Sequence, residues 1–164
     1  MRPPLPALAA LAGLAVSLGA CASAPPAPAT TQGADLGFRV MYDHTALHVA
    51  DLDAAVAFYR DVFGLPEIAA PGDPAVIRWL SLGGDDQIHL IDFDGDVPPT
   101  DKAVHLALAV TDLDAFVAHL DRLGVAYSDW PGAAGVVSLR PDGVRQVYVQ
   151  DPDGYWVEVN TARG

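Results

Sequence analysis

The chain has 164 residues, of which 51% are hydrophobic, and a formal net charge of -12. This length and apolar content suffice for one domain of ordinary size with a buried core, but not for several large domains. A surface that binds DNA or RNA needs clustered Lys and Arg, whereas the 9 basic residues here are scattered. No nucleic-acid partner is therefore expected, and an anionic substrate would need a local positive group or a metal ion.

Residues 1–21 have the layout of an export signal. Arg2 is followed by an apolar run from Leu5 to Leu18, too short for a comfortable membrane span, and then by small residues. The letters LGAC that end at Cys21 resemble the lipobox of bacterial lipoproteins, whose cysteine becomes the lipidated first residue of the mature chain. We expect a lipoprotein anchored to the membrane only through Cys21 and facing the periplasm. The alternative is an ordinary signal cleaved at a small-x-small site, which would leave a soluble periplasmic protein.

Residues 22–36 consist mainly of Ala, Pro, Ser, Thr and Gly. Such a segment has too few large apolar side chains to fold, and its prolines stiffen it locally. We interpret it as a disordered tether between the signal and a folded domain that spans residues 37–164.

Two stretches of this domain repeat one another, and such a repeat determines the architecture. The stretch HTALHVADLDAAVAFYRDVFGL begins at His44, and HLALAVTDLDAFVAHLDRLGV begins 61 positions later at His105, with 10 of the first 15 aligned pairs identical. Each copy opens with the period-two alternation of a strand and continues with apolar residues at helical spacing. Each copy therefore predicts a strand, a turn and a helix.

An aspartate and a glycine delimit the helix in each copy. Asp51 and Asp112 stand where an N-cap side chain is needed, and Gly64 and Gly124 stand where a left-handed residue ends a helix. We therefore interpret both aspartates as caps rather than catalytic acids. His119 lies opposite the apolar stripe of the second helix, so we expect it to be solvated.

Further strand candidates follow each helix, separated by turns rich in Gly, Pro and Asp. They are residues 65–69, 75–82 and 87–93 after the first helix, and 125–130, 136–139, 144–150 and 155–160 after the second. The prediction is an α+β fold of two tandem βαβββ modules, at about 40–95 and 103–161. The helices should cover the outside while the two sheets curve towards each other around a cavity.

The repeated unit and two strings of letters resemble the vicinal oxygen chelate superfamily. The strings are H-x-x-L-x-V-x-D-L-x-x-x-x-x-F-Y-R-D-x-x-G-L from His44, and D-P-D-G-Y-W-V-E-V from Asp151. The superfamily includes glyoxalase I, extradiol dioxygenases, fosfomycin-inactivating enzymes, methylmalonyl-CoA epimerase and bleomycin-binding proteins. The resemblance covers residues 40 to 161 and implies the fold more strongly than the reaction, because one fold hosts many chemistries.

In metalloenzymes of this superfamily, the first and last strands of each module supply ligands to a metal ion in the cavity. The matching positions here are His44, His89, His105 and Glu158. The repeat agrees, because offsets of 61 and 69 relate two pairs that a pseudo-twofold axis would bring together. Three imidazoles and a carboxylate suit zinc, nickel, iron, cobalt or manganese. Glyoxalase I usually has a carboxylate or glutamine where this chain has His89. If a carboxylate there serves as the proton-abstracting base, this chain must use Glu158, a metal-bound hydroxide or another chemistry.

Period-two spacing extends the predicted cavity. His48, Gln87 and Trp156 each lie an even number of residues from a predicted ligand on the same strand, so they should point into the same cavity. His48 is either a proton shuttle, a substrate contact or a wall residue without a catalytic role, and the other two should line the substrate pocket. Four residues on neighbouring strands receive no predicted role, because the sequence does not fix which way they face: Arg78, Trp79, Arg145 and Tyr148.

The resemblance and the filled ligand set together predict a divalent-metal-dependent, glyoxalase-like lyase or isomerase that acts on a small, oxygen-rich substrate. Glu158 and His48 are the candidate catalytic residues. The first alternative is an Fe(II) extradiol-type dioxygenase, which needs two histidines and one carboxylate. The second is a non-catalytic, antibiotic-type binding protein; such members are usually dimers, so the resemblance is also compatible with a homodimer.

Overall fold

The computed structural model of the chain describes residues 37–95, 97 and 100–163. The predicted signal, Cys21 and the tether of residues 22–36 lie outside the described residues. Residues Val40–Gly164 form one compact unit. No helix among the described residues is long and apolar enough to cross a membrane.

The first module is a strand, a helix and three strands, as the repeat predicts. Its elements are β1 (His44–Val49), α1 (Leu52–Phe63), β2 (Glu67–Ile68), β3 (Ile77–Gly83) and β4 (Asp86–Asp92). Asp51 caps α1, because its side chain accepts a hydrogen bond from the backbone N–H of Ala54. Gly64 ends the helix in the left-handed conformation, with a φ of 69°.

The second module repeats this plan with one more short strand. Its elements are β5 (His105–Ala109), α2 (Leu113–Leu123), β6 (Tyr127–Ser128), β7 (Ser138–Leu139), β8 (Arg145–Gln150) and β9 (Trp156–Asn160). Asp112 caps α2 through the backbone N–H of Ala115, and Gly124 ends it with a φ of 69°. The interpretation of both aspartates as helix caps is therefore confirmed.

Each module builds its own sheet, with its first strand at one edge. The strand orders are β1-β4-β3-β2 and β5-β9-β8-β6, and β7 pairs with β8. β1 runs parallel to β4 with Ala46 opposite His89, and β5 runs parallel to β9 with Ala107 opposite Glu158. These partners are related by the offsets of 61 and 69 found in the sequence, so the modules are structural copies and the predicted α+β fold is confirmed.

One hydrophobic core lies between the helices and the sheets of both modules. Its fully buried members include Tyr59 from α1, Leu120 from α2, Leu90 from β4 and Val157 from β9. Because neighbouring strand residues point to opposite faces, burying Leu47 and Val49 of β1 leaves the alternate residues of that strand on the other face. That other face carries the polar residues considered below.

The helices form part of the junction between the modules. The rings of Phe63 and Phe116 stack with their centroids 5.7 Å apart. His119, predicted to be solvated, is partly exposed and donates from Nε2 to the backbone carbonyl of Asp61 at 2.8 Å. This histidine therefore belongs to the contact between α1 and α2.

The loop of residues 151–155 fastens the second module to the first. Asp153 accepts a hydrogen bond from the backbone N–H of Ala50 at 2.8 Å, and the Tyr59 hydroxyl donates to Asp151 at 2.9 Å. Asp151 also accepts from the backbone N–H groups of Asp153 and Tyr155. Asp151 is 5% exposed, and this burial raises its pKa. Both acids of the D-P-D-G motif thus form hydrogen bonds across the module junction.

The Asp151→Asn variant is expected to gain stability relative to the original chain as pH rises. Because the folded-state pKa of Asp151 is raised, this carboxyl stabilises the fold most below its unfolded-state pKa and loses that contribution as pH rises through the folded-state pKa. Asparagine keeps an oxygen for the two backbone donors and does not ionise. Urea unfolding from about pH 4 to pH 8 measures the difference in free energy, and a difference that does not vary with pH would contradict this account. The matched variant Tyr59→Phe removes one hydrogen bond and should cost about 1–3 kcal/mol.

Candidate metal centre

All four predicted ligands lie on the sheet faces that point away from the core. His44 begins β1, with His89 on the adjacent β4; His105 begins β5, with Glu158 on the adjacent β9. The sequence neighbours of the two last-strand ligands are core residues: Ile88, Leu90, Val157 and Val159. Strand alternation therefore places each predicted ligand opposite the hydrophobic core.

His44 and His89 form the first pair, within a stack of three rings. Their centroids are 4.0 Å apart with planes at 16°, and Trp79 stacks on the other face of His89 at 4.1 Å and 5°. Gln87 Oε1 lies 2.8 Å from His89 Nε2. Burial, and then the proximity of the His44 imidazole, lower the pKa of His89, which favours its neutral form.

His105 and Glu158 form the second pair, with Nε2 and Oε2 3.3 Å apart. Glu158 is 5% exposed; its Oε2 accepts from the Tyr148 hydroxyl at 2.6 Å and its Oε1 from Asn160 Nδ2 at 2.7 Å. Arg140 Nη1 lies 3.4 Å from Oε1. Burial and the hydrogen bond to Glu158 raise the pKa of Tyr148, so its hydroxyl remains a donor.

Each of the two first-strand histidines has a hydrogen-bond acceptor at Nδ1. His44 Nδ1 donates to the Asp43 carboxylate, and His105 Nδ1 donates to the carbonyl of Lys102 at 2.8 Å. In the neutral ring the lone pair is then on Nε2, and metal-binding histidines are commonly oriented by such an acceptor at the other nitrogen. The lone pair of His105 lies against the carboxylate of Glu158, where a cation or proton would relieve the repulsion. This donor set fits a borderline divalent ion.

The ligands come together in two pairs rather than as one group of four. Within residues 37–95, 97 and 100–163, no group of three or more His, Cys, Asp or Glu side chains is placed to hold one metal ion. That a pseudo-twofold axis brings the two pairs together at one ion stays a prediction. Each pair lies on its own sheet, because its two members stand on adjacent strands of that sheet.

The three further residues predicted for the cavity have different surroundings. Gln87 contacts a predicted ligand, as described above. His48 stacks on Phe93, with centroids 4.6 Å apart and planes at 1°. Trp156 lies opposite His105 in the register of β5 and β9, with the ammonium of Lys102 4.2 Å from its ring centroid.

The contacting residues that sequence analysis did not predict include Trp79, Lys102, Arg140, Tyr148 and Asn160. Trp79 pairs with His89 across β3 and β4, and Tyr148 pairs with Glu158 across β8 and β9. The offset of 69 that relates the two ligands also relates Trp79 to Tyr148. The repeat therefore contained a signal for these two residues, but none for the lysine or the asparagine.

The two arginines that received no predicted role have structural partners. Arg78 binds Glu67 at 2.7 Å and Asp53 at 2.5 Å, and Arg145 binds Asp114 at 2.7 Å. The two aspartates lie in the first turns of α1 and α2. These arginines therefore connect strands to helix N-termini rather than contributing to the candidate site.

A cavity of about 550 Å³ adjoins the second pair. Its wall includes Ala46 and Leu47 of β1, His105 and Ala107 of β5, and Trp156. A larger cavity, of about 760 Å³, is lined by residues that include Phe63, Leu82, Leu108 and Phe116 and by none of the four predicted ligands. The smaller cavity is therefore the one that bears on the candidate site.

Known proteins are similar to this chain in sequence and fold. Residues 41–159 match the Glyoxalase/Bleomycin resistance protein/Dioxygenase superfamily. The chain is 29% identical over 122 residues to the uncharacterized protein YwbC of Bacillus subtilis (strain 168), covering 71% of this chain and 93% of that protein.

Two solved structures are similar over most of their length. Lactoylglutathione lyase from Agrobacterium tumefaciens has 27% identity and a TM-score of 0.59, covering 76% of this chain and 96% of the lyase. Oxidase ChaP-H1 has 28% identity and a TM-score of 0.60, covering 75% and 96%. The two repeated modules and the match over residues 41–159 show that this chain belongs to the Glyoxalase/Bleomycin resistance protein/Dioxygenase superfamily.

Proposed function

We propose that the chain is a divalent-metal-dependent lyase or isomerase that acts on a small substrate with neighbouring oxygens. The observation that carries the proposal is the two ligand pairs, His44 with His89 and His105 with Glu158. The likeness to a lactoylglutathione lyase supports this reaction class. When bound, the ion would supply Lewis-acid polarisation of the substrate oxygens.

Glu158 is the group best placed to take or give a proton. Tyr148 and Asn160 donate to its two oxygens, so the carboxylate is held in one orientation. Its burial excludes water, which strengthens electrostatic interactions with a substrate. His48 is the second candidate, as a proton shuttle or substrate contact, and its stack on Phe93 holds the ring.

We propose that the complete site lies between two copies of the chain. In this arrangement His44 and His89 of one copy would face His105 and Glu158 of the other. Two observations support it: β1 and β5 lie at edges of their sheets, and large apolar side chains just before β1 are exposed. Those side chains, which include Val40 at 88% and Met41 at 82% exposure, suit burial in an interface.

A second candidate function is an Fe(II) oxygenase, and the surroundings of His89 favour it. Its Nε2 is bound to a glutamine and its ring is enclosed by two others. Without His89, the set that remains is His44, His105 and Glu158, the two histidines and one carboxylate of many non-haem Fe(II) oxygenases. The likeness to the oxidase ChaP-H1 supports this candidate.

Elemental analysis of the purified full chain tests the metal. We expect near-stoichiometric divalent metal in the original chain and its loss in Glu158→Ala. The control is Glu67→Ala, since Glu67 is the other glutamate of the chain and binds Arg78 away from the site. If His89→Ala loses its metal, the site has four protein ligands, which favours the lyase. If His89→Ala retains iron, the site needs only His44, His105 and Glu158, which favours the oxygenase. A chain that binds no zinc, nickel or ferrous iron would contradict both and leave a non-catalytic binding protein.

Mixing two variants tests whether the site spans two copies. His44→Ala and Glu158→Ala should each lack metal as homodimers. A heterodimer, formed by mixing them after mild denaturation, would combine both intact halves in one of its two sites and so recover metal and activity. If each site lies within a single chain, the mixture recovers neither, and size-exclusion chromatography reports whether dimers form.

We also propose that the protein is exported and anchored through Cys21. In bacterial cells, the full chain should partition with membranes, and mass spectrometry of the mature protein should find an acylated Cys21 at its N-terminus. Cys21→Ser should move the protein out of the membrane fraction. A mature chain that begins after residue 21 without a lipid would instead identify a soluble periplasmic protein.

A further inference from the structure

Lys102, the only lysine of the chain, lies three residues before the predicted ligand His105. Its ammonium is within hydrogen-bonding distance of Ser128 Oγ at 3.0 Å and of the backbone carbonyls of Asp129 at 2.9 Å and Trp130 at 3.4 Å. An ammonium has three N–H donors, so these acceptors use all of them. The Lys102 ammonium therefore uses its donors on residues 128–130 of the second module rather than on a substrate anion.

Two aromatic rings hold the same ammonium. Nζ of Lys102 lies 4.2 Å from the ring centroid of Trp156 and 5.3 Å from that of Tyr148, both within the range of cation–π attraction. Each ring also belongs to the candidate site, since Tyr148 donates to Glu158 and Trp156 lies opposite His105. The lysine side chain thus ties the segment before β5 to one wall of the site.

The backbone of Lys102 determines how His105 is presented. Its carbonyl oxygen lies 2.8 Å from Nδ1 of His105, whereas the Glu158 carboxylate lies 3.3 Å from Nε2. Both groups only accept, and the shorter contact assigns the proton of the neutral ring to Nδ1. The Nε2 lone pair then faces Glu158. Two hydrogen bonds to Asp101 stabilise the turn that contains Lys102. The Asp101 side chain accepts from the backbone N–H of Ala103, and its backbone carbonyl accepts from that of Val104.

We propose that Lys102 is a positioning residue for His105. Its ammonium, fixed by Ser128, two carbonyls and two rings, holds its own carbonyl against Nδ1, so that His105 keeps the Nδ1–H tautomer and presents Nε2 to the site. His44 has a different acceptor at Nδ1, the exposed carboxylate of Asp43. The positioning of His105 rests on contacts within the chain, while its purpose, metal binding, rests on the proposed function.

The test uses the metal-free full chain labelled with ¹⁵N-histidine, at a pH where the rings are neutral. Two-bond ¹H–¹⁵N correlation spectra report the tautomer of each ring, and we expect His105 to be Nδ1–H in the original chain. In Lys102→Met, which keeps the apolar stem, a large fraction should convert to Nε2–H. The control Arg122→Met removes another cation, on α2, and should leave the His105 tautomer unchanged. Cobalt titration should show affinity roughly tenfold weaker in Lys102→Met, as for the loss of other partners that orient metal ligands.

A second variant guards against misfolding. Ser128→Ala removes one acceptor of the Lys102 ammonium and should shift the His105 tautomer in the same direction by a smaller amount. If Lys102→Met does not fold, the tautomer in Ser128→Ala is the test of the proposal. An unchanged His105 tautomer in the folded variants would overturn the inference. A changed tautomer in a chain that never binds cobalt would uphold the positioning of His105 and contradict the proposed metal-dependent function instead.

Discussion

The second module surrounds the buried Glu158 carboxylate with hydrogen-bond donors, and its strand pairing depends on this requirement. A charged group that is 5% exposed is costly unless donors surround it. Tyr148 on β8 and Asn160 on β9 supply neutral donors, Arg140 approaches one oxygen, and His105 on β5 faces the other. Three strands thus contribute to the environment of one carboxylate, and each contribution depends on the register in which they pair.

The first module has a histidine, not a carboxylate, at the position equivalent to Glu158. The lowered pKa of His89 favours its neutral form, which needs no opposite charge. It packs instead between the rings of His44 and Trp79. Equivalent positions of the repeated modules therefore carry an imidazole in one copy and a carboxylate in the other.

The local architecture could be predicted from the sequence because short-range signals determine it. Asp51 and Gly64 begin and end a helix by rules that involve neighbouring residues only. The repeat offsets also gave the correct relation between the strands that carry His89 and Glu158. These signals act within one strand, one helix or one module.

The arrangement of the modules could not be predicted, because residues far apart in the chain determine it. The bond from Tyr59 to Asp151 spans 92 positions and that from Ala50 to Asp153 spans 103. No periodicity relates those partners. Lys102 was missed for a similar reason: its contacts are made with backbone carbonyls and a loop serine, and its effect on His105 passes through its own carbonyl.

The module junction and the candidate site share one segment of chain. Asp151 and Asp153 fasten the loop to the first module, and five residues after Asp153 the same chain reaches Glu158 on β9. These bonds hold the two modules in an arrangement in which each candidate pair lies on its own sheet, on the face directed away from the core. Association of two copies, as we propose, would leave the buried bond of Asp151 and the strand that carries the carboxylate unchanged. The contacts within the single chain are therefore compatible with a site that a second copy completes.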